Sequence, residues 1–587
     1  MAASISEAMI RHHTTANSWN QGEDYYQGGA VTDIVQRGNT ISAEVEGSDV
    51  RPYRIDIQLD AGGVKSAHCS CPYVYEGWCK HIVAAALTSV RQPKRIQQRP
   101  TLSQLLDRLD HVKTQQLVQA LVEEQPTLID VIDRQVTLLS ASAAPAQTTP
   151  ARRRASFDTT PFRRQVKQIL REGVRCLEDG YDDDPFTDAL LNVVEKTLNF
   201  ARNGDGYHAI AILSAITETY VGEWDELCEY GGDSFSITDP LDEAWTEAIL
   251  STDLNESEAV DLGVMLDEWQ DSLDADFSMS LAALQQGWDD PELQRVLNQG
   301  RGYSDPARLE SSFGQKLAQI RLQILDRQGR QQEYLNLARV EGLILQYLTR
   351  LAQTGQIEAA MEVAQERMTT AEEAFALAQV LREGEHLTEA LAIAQAGLPL
   401  TGNCCYTLAD WTSNLAEGMG NLSVALEASI RAFQLQPNFS DYRRAAHLAT
   451  DQWECIKPDL LNMLRQSSDW QNREAKVDIF LYEGLLDDAI RAVETDTYYR
   501  SELLYRVMQA TTSTHSDWVI KTARKQAEPI MSQGKSDRYQ EAVKWLQQAK
   551  TAYEQSGQKS TWTDYFNRLQ VDYGRKRKLM DLFNQLR

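Results

Sequence analysis

Four residues constrain this chain more than any others: Cys69, Cys71, Cys79 and His81, set as C-x-C, the loop Pro72–Trp78, then C-x-H. Three thiolates and one imidazole are a complete set for tetrahedral zinc, leaving no position open for a substrate. A strand puts residues i and i+2 on one face, so Cys69 and Cys71 can reach one ion from a strand end. Cys79 and His81 fall where an apolar helix begins, at Ile82–Leu87. Strand end, loop and helix start are thus expected to converge on one metal. His68, beside Cys69, is expected to point to the opposite face and stay outside the set. None of the other five cysteines has a histidine or further ligand spaced like this.

The residues before the motif alternate apolar and polar in Gly28–Val35, Ile41–Gly47 and Tyr53–Leu59. A last strand, Val64–Cys69, delivers the first two ligands. Arg37-Gly-Asn39 and Asp60-Ala-Gly-Gly63 supply the turns. Ser4–Tyr26 reads as short helices, with Trp19 and Tyr26 available to pack on the sheet. So small a core is expected to draw part of its folding energy from the metal. The pattern C-S-C-P…C-K-H followed by an apolar helix resembles the SWIM-type zinc finger, and the preceding strands extend the likeness over roughly the first hundred residues. The resemblance implies zinc on Cys69, Cys71, Cys79 and His81. It also implies DNA or protein interaction and, as for bacterial members, association with a helicase-like ATPase.

Leu102–Leu139 carries apolar residues at helical spacing, including Leu105, Leu109, Leu117 and Leu121. Residues 140–160, rich in Ala, Ser, Thr and Pro, read as a flexible linker. Within it Arg152-Arg-Arg154 before Ser156 resembles a basophilic kinase site. From Phe162 on, helix formers dominate. Acidic clusters at Asp182–Asp184, Glu223–Glu226 and Asp267–Trp269 lack the spacing and glycine of a calcium loop and read as solvated faces. Trp224, Trp245, Trp269 and Trp288 are expected at helix interfaces. Farther on, Gly355…Ala360, Gly384…Ala390, Gly420…Ala425 and Gly484…Ala489 repeat one device: a glycine closing a helix, then an alanine for close packing in the next. The unit running Ala425…Ala432…Pro437 resembles a tetratricopeptide repeat. The expected fold is α+β overall but predominantly α, with a small β-rich zinc-binding module followed by an α-helical repeat solenoid. Its expected domains are a SWIM-like zinc module at 1–98, a helical extension at 99–139, the linker at 140–160, an acidic helical domain at 161–310 and tetratricopeptide-like repeats at 311–587.

The chain carries 58 Lys and Arg against 85 Asp and Glu, a net charge of -27. Residues 1–100 hold ten of each sign, so the whole acidic excess lies beyond the zinc module. That argues against a protein coating nucleic acid along its length. Lys80, Arg91, Lys94, Arg95 and Arg99, close to the finger, are the candidates for phosphate contact. The run Arg575–Lys578 is expected to pair with acidic faces of the repeats. No stretch reaches the ~18 apolar residues of a membrane span, and Met1–Arg11 lacks the pattern of a secretory signal. Eight cysteines in 587 residues are too few for a disulfide scaffold, so a reducing, cytoplasmic setting is expected. Cys176, Cys228, Cys404, Cys405 and Cys455 are expected as buried small hydrophobes. No phosphate-binding loop, nucleophile elbow or metalloprotease motif is present, and an enzyme is not expected. His208, His386 and His447 read as structural. His12-His13 has no Cys or carboxylate at ligand spacing. Two functions follow: an interaction scaffold docking a protein partner through the zinc module and solenoid, or a regulator binding DNA or RNA through the finger.

Overall fold

Alternation of apolar and polar residues builds the first layer. The computed structural model describes residues 5–47, 49, 51–73, 77–125, 158–178, 186–229, 235–303, 313–467, 472–494, 501–534 and 536–586. Strands β1 (Val31–Arg37), β2 (Thr40–Val45), β3 (Tyr53–Asp60) and β4 (Gly63–Cys69) form an antiparallel meander. Tyr53, Ile55, Ile57 and Leu59 of β3 face inward while Arg54, Asp56 and Gln58 face out. A fifth strand, β5 (Gln97–Gln98), pairs parallel with β1, giving the order β4-β3-β2-β1-β5. Sequence reading misses β5 because two glutamines carry no alternation.

Helix α1 (Glu7–His12) and helix α2 (Ala16–Gln27) precede the sheet, and α3 (Lys80–Arg91) follows the metal motif. Every residue from His81 to Ser89 is buried. A helix without a polar face needs cover all round. That cover comes from strands β1 to β4 and from α1 and α2, all of which pack against α3. Trp19 joins this core at 8% exposure, with Tyr25 and Tyr26 packed at its margin.

The chain divides into two compact units, residues 1–100 with 370–375 and 387–587, and residues 101–369 with 376–386. In the first unit the zinc module is not free-standing. Gly418, the last residue of the helix Cys405–Gly418, lies against the β3–β4 turn. α1 packs on the helix Phe439–Ala449. The module and these helices are therefore neighbours within one unit. Farther along, one continuous core runs from Phe433 to Leu586.

The repeat device is realised helix by helix. Ala360, Ala390, Ala425 and Ala489 are all wholly buried. Gly355, Gly420 and Gly484 sit at φ +78°, +78° and +71°, the left-handed conformation that ends a helix without a Cβ penalty. Gly384 departs from the pattern, because its neighbour Glu385 takes the left-handed position at φ 65°. Within the basic run Arg575–Lys578, Lys576 departs from the expected pairing. Lys576 Nζ donates to the Met531 and Ser532 carbonyls near the end of the helix Ser516–Gln533, meeting helix-end carbonyls rather than carboxylates.

In the second unit Trp245 is fully buried, with Trp269 at 5.8 Å between ring centroids. Trp224 and Trp288 pack against the same core. Asp267 and Glu268 are exposed beside buried Trp269, a solvated face as expected. Asn255 begins the helix Glu256–Leu273 with a reciprocal cap: it accepts from the Glu258 amide, and its own amide donates to the Glu258 carboxylate. Asn255→Ala is expected to cost about 1 kcal/mol, read as a lower denaturant midpoint. The linker at 140–157 with Arg152–Arg154, and the cluster Asp182–Asp184, lie outside the described residues. Cys228 and Cys455 are exposed and Cys404 and Cys405 half-buried, correcting the buried reading. Cys405 Sγ sits 3.0 Å from the Gly402 carbonyl oxygen, a polar turn contact rather than core packing. The side chain of Cys176 is outside the described set. No described helix is long and apolar enough to cross a membrane.

Candidate metal centre

The meander ends by carrying Cys69 to the end of β4, with Cys71 two residues beyond. Cys79 occupies the N-cap of α3, and His81 lies in its first turn. One ligand atom from each of Cys69, Cys71, Cys79 and His81 falls within 4.8 Å of the others. His81 Nδ1 is 3.8 Å from Cys69 Sγ and 3.9 Å from Cys79 Sγ. His68 is exposed and outside this group, as the strand period requires.

The donor set fits zinc. Three soft sulfurs and one imidazole nitrogen suit a closed tetrahedral site, with no coordination position left for a reacting molecule. Their protonation fits as well. The Cys69 thiol, hydrogen-bonded to Cys79, pulls the Cys79 thiol down to about 4 against the opposing effect of burial. His81 and the Ile82 amide at the helix start pull the same way. The same shared proton, with burial, pushes the Cys69 thiol up. A metal ion relieves this competition by taking all three as thiolates, releasing protons as it binds.

The other ring nitrogen of His81, Nε2, is buried without a hydrogen-bond partner among the described residues. The ring is oriented by aromatic contact instead. Tyr53 stacks on it at 4.4 Å, and Tyr25 meets it edge-on at 5.4 Å. Sequence reading placed Tyr53 on a strand without assigning it this task. The metal loop is fastened from α1: the Trp78 amide donates to the His13 carbonyl at 2.7 Å, and the His13 ring stacks on Trp78.

The basic residues near the finger make separate contacts within the module. Arg91 donates to Glu7 at 2.7 Å and to Glu23 at 2.5 Å, and lies over the Tyr26 ring. Hydrogen bonds from Arg91 hold both carboxyls below their usual range. Lys80 Nζ lies 4.8 Å above the Tyr25 ring. Arg95 donates to the Val31 carbonyl, and Arg99 donates to the Gln97 side chain. Lys94 is exposed.

A second cluster escapes sequence reading. His12 Nε2 lies 2.6 Å from Asp410, and its Nδ1 lies 3.8 Å from Asp441. The carboxylates lacking near His12 in sequence arrive from 398 and 429 positions away. Arg444 lies 3.5 Å from Asp410 and donates to Glu417 at 2.9 Å. By distance His12, Asp410 and Asp441 could close on a metal. A guanidinium already on Asp410, and a carboxylate near each His12 ring nitrogen, make the cluster a polar clasp holding α1 to the helical part. Burial raises Asp410, but His12 and Arg444 outweigh it and hold that carboxyl at about 2. Asp441, more enclosed, is raised by burial.

Comparison with known proteins places this geometry. Residues 53–89 match the SWIM zinc finger, spanning β3 to α3 and all four ligands. The chain is 30% identical over 118 residues to the Drosophila melanogaster zinc finger SWIM domain-containing protein 8 homolog, covering 20% of this chain and 6% of that protein. It is 29% identical over 119 residues to the Bos taurus zinc finger SWIM domain-containing protein 8, covering 20% of this chain and 8% of that protein. The chain therefore spans less than a tenth of the length of these curated relatives. A solved circular tandem repeat protein is 13% identical across 73% of this chain and 94% of its own, at a TM-score of 0.14, too low to establish a common fold.

Proposed function

We propose that this chain is a non-catalytic, zinc-binding scaffold that docks a protein partner. The observation that carries this reading is how the module spends its charge. Arg91, the first cation of the basic stretch 91–99, is paired with Glu7 and Glu23 of its own module. The remaining cations, Lys80, Lys94, Arg95 and Arg99, belong to a chain of net charge -27. An acidic surface repels nucleic acid and favours a partner with a basic face. A zinc set complete in protein ligands supports a structural rather than a chemical role for the ion. A helicase-like ATPase, the partner implied by the SWIM resemblance, is the first candidate.

The test is a titration of zinc-loaded full-length protein against short DNA and RNA, from low to physiological salt. Little or no binding is expected. Binding that weakens steeply with salt, and is lost in the triple variant Lys94→Ala, Arg95→Ala, Arg99→Ala, would establish the nucleic-acid regulator instead. A complex with the ATPase that survives physiological salt on a sizing column supports the scaffold.

A further inference from the structure

Within the first unit, α1, the start of α2 and the helix Phe439–Ala449 line an open cleft of about 560 Å³. Its wall holds three arginines, Arg11, Arg443 and Arg444, against a single carboxylate, Glu417. The charge of Arg444 is already met, by Glu417 and by Asp410 behind the wall. Arg11 and Arg443 have no ion-pair partner among the described residues. Both are exposed, in a chain with 85 acidic side chains available. Each is instead laid against an aromatic wall residue: Arg11 is 3.9 Å from the Trp19 ring centroid, and Arg443 is 5.9 Å from that of Phe439.

A guanidinium resting on a ring is positioned before any ligand arrives, so less freedom is lost when it binds. Arg444, its side chain 6% exposed, is held in the wall by Asp410 and Glu417 and offers no free charge. Ser440, at the first turn of the helix Phe439–Ala449, has its hydroxyl 3.5 Å from the His12 ring and carbonyl, and Asp441 of the same turn is buried beside it. Arg443 carries its charge with no carboxylate in ion-pair reach among the described residues, and Arg11 shares only the field of Glu7 one turn earlier on α1, so the wall suits an anion. A phosphate monoester carries about -1.5 to -2 at neutral pH and offers three acceptor oxygens to planar guanidinium forks. The volume lies within the range of small-molecule sites.

We propose that this cleft is a binding site for a small phosphate monoester, with Arg11 and Arg443 as its charge partners. Because the walls come from the zinc module and from the helical part of the same unit, a bound phosphate would also tie the two together.

Calorimetry on the zinc-loaded full chain tests it, with inorganic phosphate, adenosine monophosphate and adenosine as probes. Saturable binding of the monophosphate but not of adenosine is expected, weakened about tenfold in Arg443→Gln and again in Arg11→Gln. Saturation by inorganic phosphate with equal affinity would assign the site to phosphate itself and overturn the ester. No saturable binding by wild-type protein up to millimolar probe, equal binding of adenosine, or unchanged affinity in the variants would overturn the site altogether. Should one variant fail to fold, the other and the wild-type comparison with adenosine still decide.

Discussion

Cys79→Ser is expected to abolish stoichiometric zinc binding and unfold the N-terminal module. Cys79 is 3% exposed at the N-cap of α3, where His81 and the Ile82 amide favour its thiolate. Serine cannot replace it, because its hydroxyl is a harder and far weaker ligand at neutral pH. Structural zinc contributes on the order of 10 kcal/mol or more to small modules, against a total stability of similar size. The loss should spread beyond the module. The β3–β4 turn rests on Gly418, and His12 is clasped by Asp410 and Asp441. Unfolding β4 and α1 therefore uncovers the helices Cys405–Gly418 and Phe439–Ala449. Metal analysis should fall well below one zinc per chain, and amide exchange should rise across 405–449 as well as 53–89. One zinc per chain with unchanged exchange in both regions would overturn the assignment of Cys79 as a ligand. Zinc loss with exchange confined to 5–100 would keep the metal centre and remove the coupling.

The metal centre was legible because its constraints are local. Cys69, Cys71, Cys79 and His81 lie within thirteen positions of one another. Strand period and helix start then fix which way they face. The same locality made the strands and repeat alanines readable: β3 alternates residue by residue, and each buried alanine follows its turn at a fixed distance. What stayed hidden is long-range. His12 looks like an isolated doublet with His13 until the fold brings Asp410 and Asp441 to it. Arg91 looks like part of a phosphate-binding cluster until α1 and α2 supply Glu7 and Glu23. Gly384 resembles the other turn glycines, yet the chain bends at Glu385. In each instance the deciding neighbour lies outside the window in which residue type and spacing carry information.

Gly418→Val is expected to part the module from the helices while leaving zinc in place. Glycine near the end of a helix costs about 1 kcal/mol relative to alanine when nothing else requires it. Here the requirement is steric. A Cβ at Gly418 would fall far inside contact with the Gly62 carbonyl and 2.9 Å from the Gly63 amide nitrogen. Both partners are backbone in a tight hairpin turn, with Met9 packed close by, so neither can step aside as a flexible side chain would. The valine branch enlarges the clash, and overpacking of this kind costs about 3 kcal/mol. The substitution is expected to leave the ligands in place, since the clash falls at Gly62 and Gly63 and Cys69 lies at the other end of β4. One zinc per chain should therefore be retained, while proteolytic resistance across 405–449 falls. This separates the variant from Cys79→Ser, which should lose both. Gly418→Ala should give a weaker form of the same result, its clash partly offset by better helix propensity. Full protease resistance in Gly418→Val would mean that the turn can move away from the helix end at little cost. The clasp at His12 would then be the contact that couples the zinc centre to the helical part.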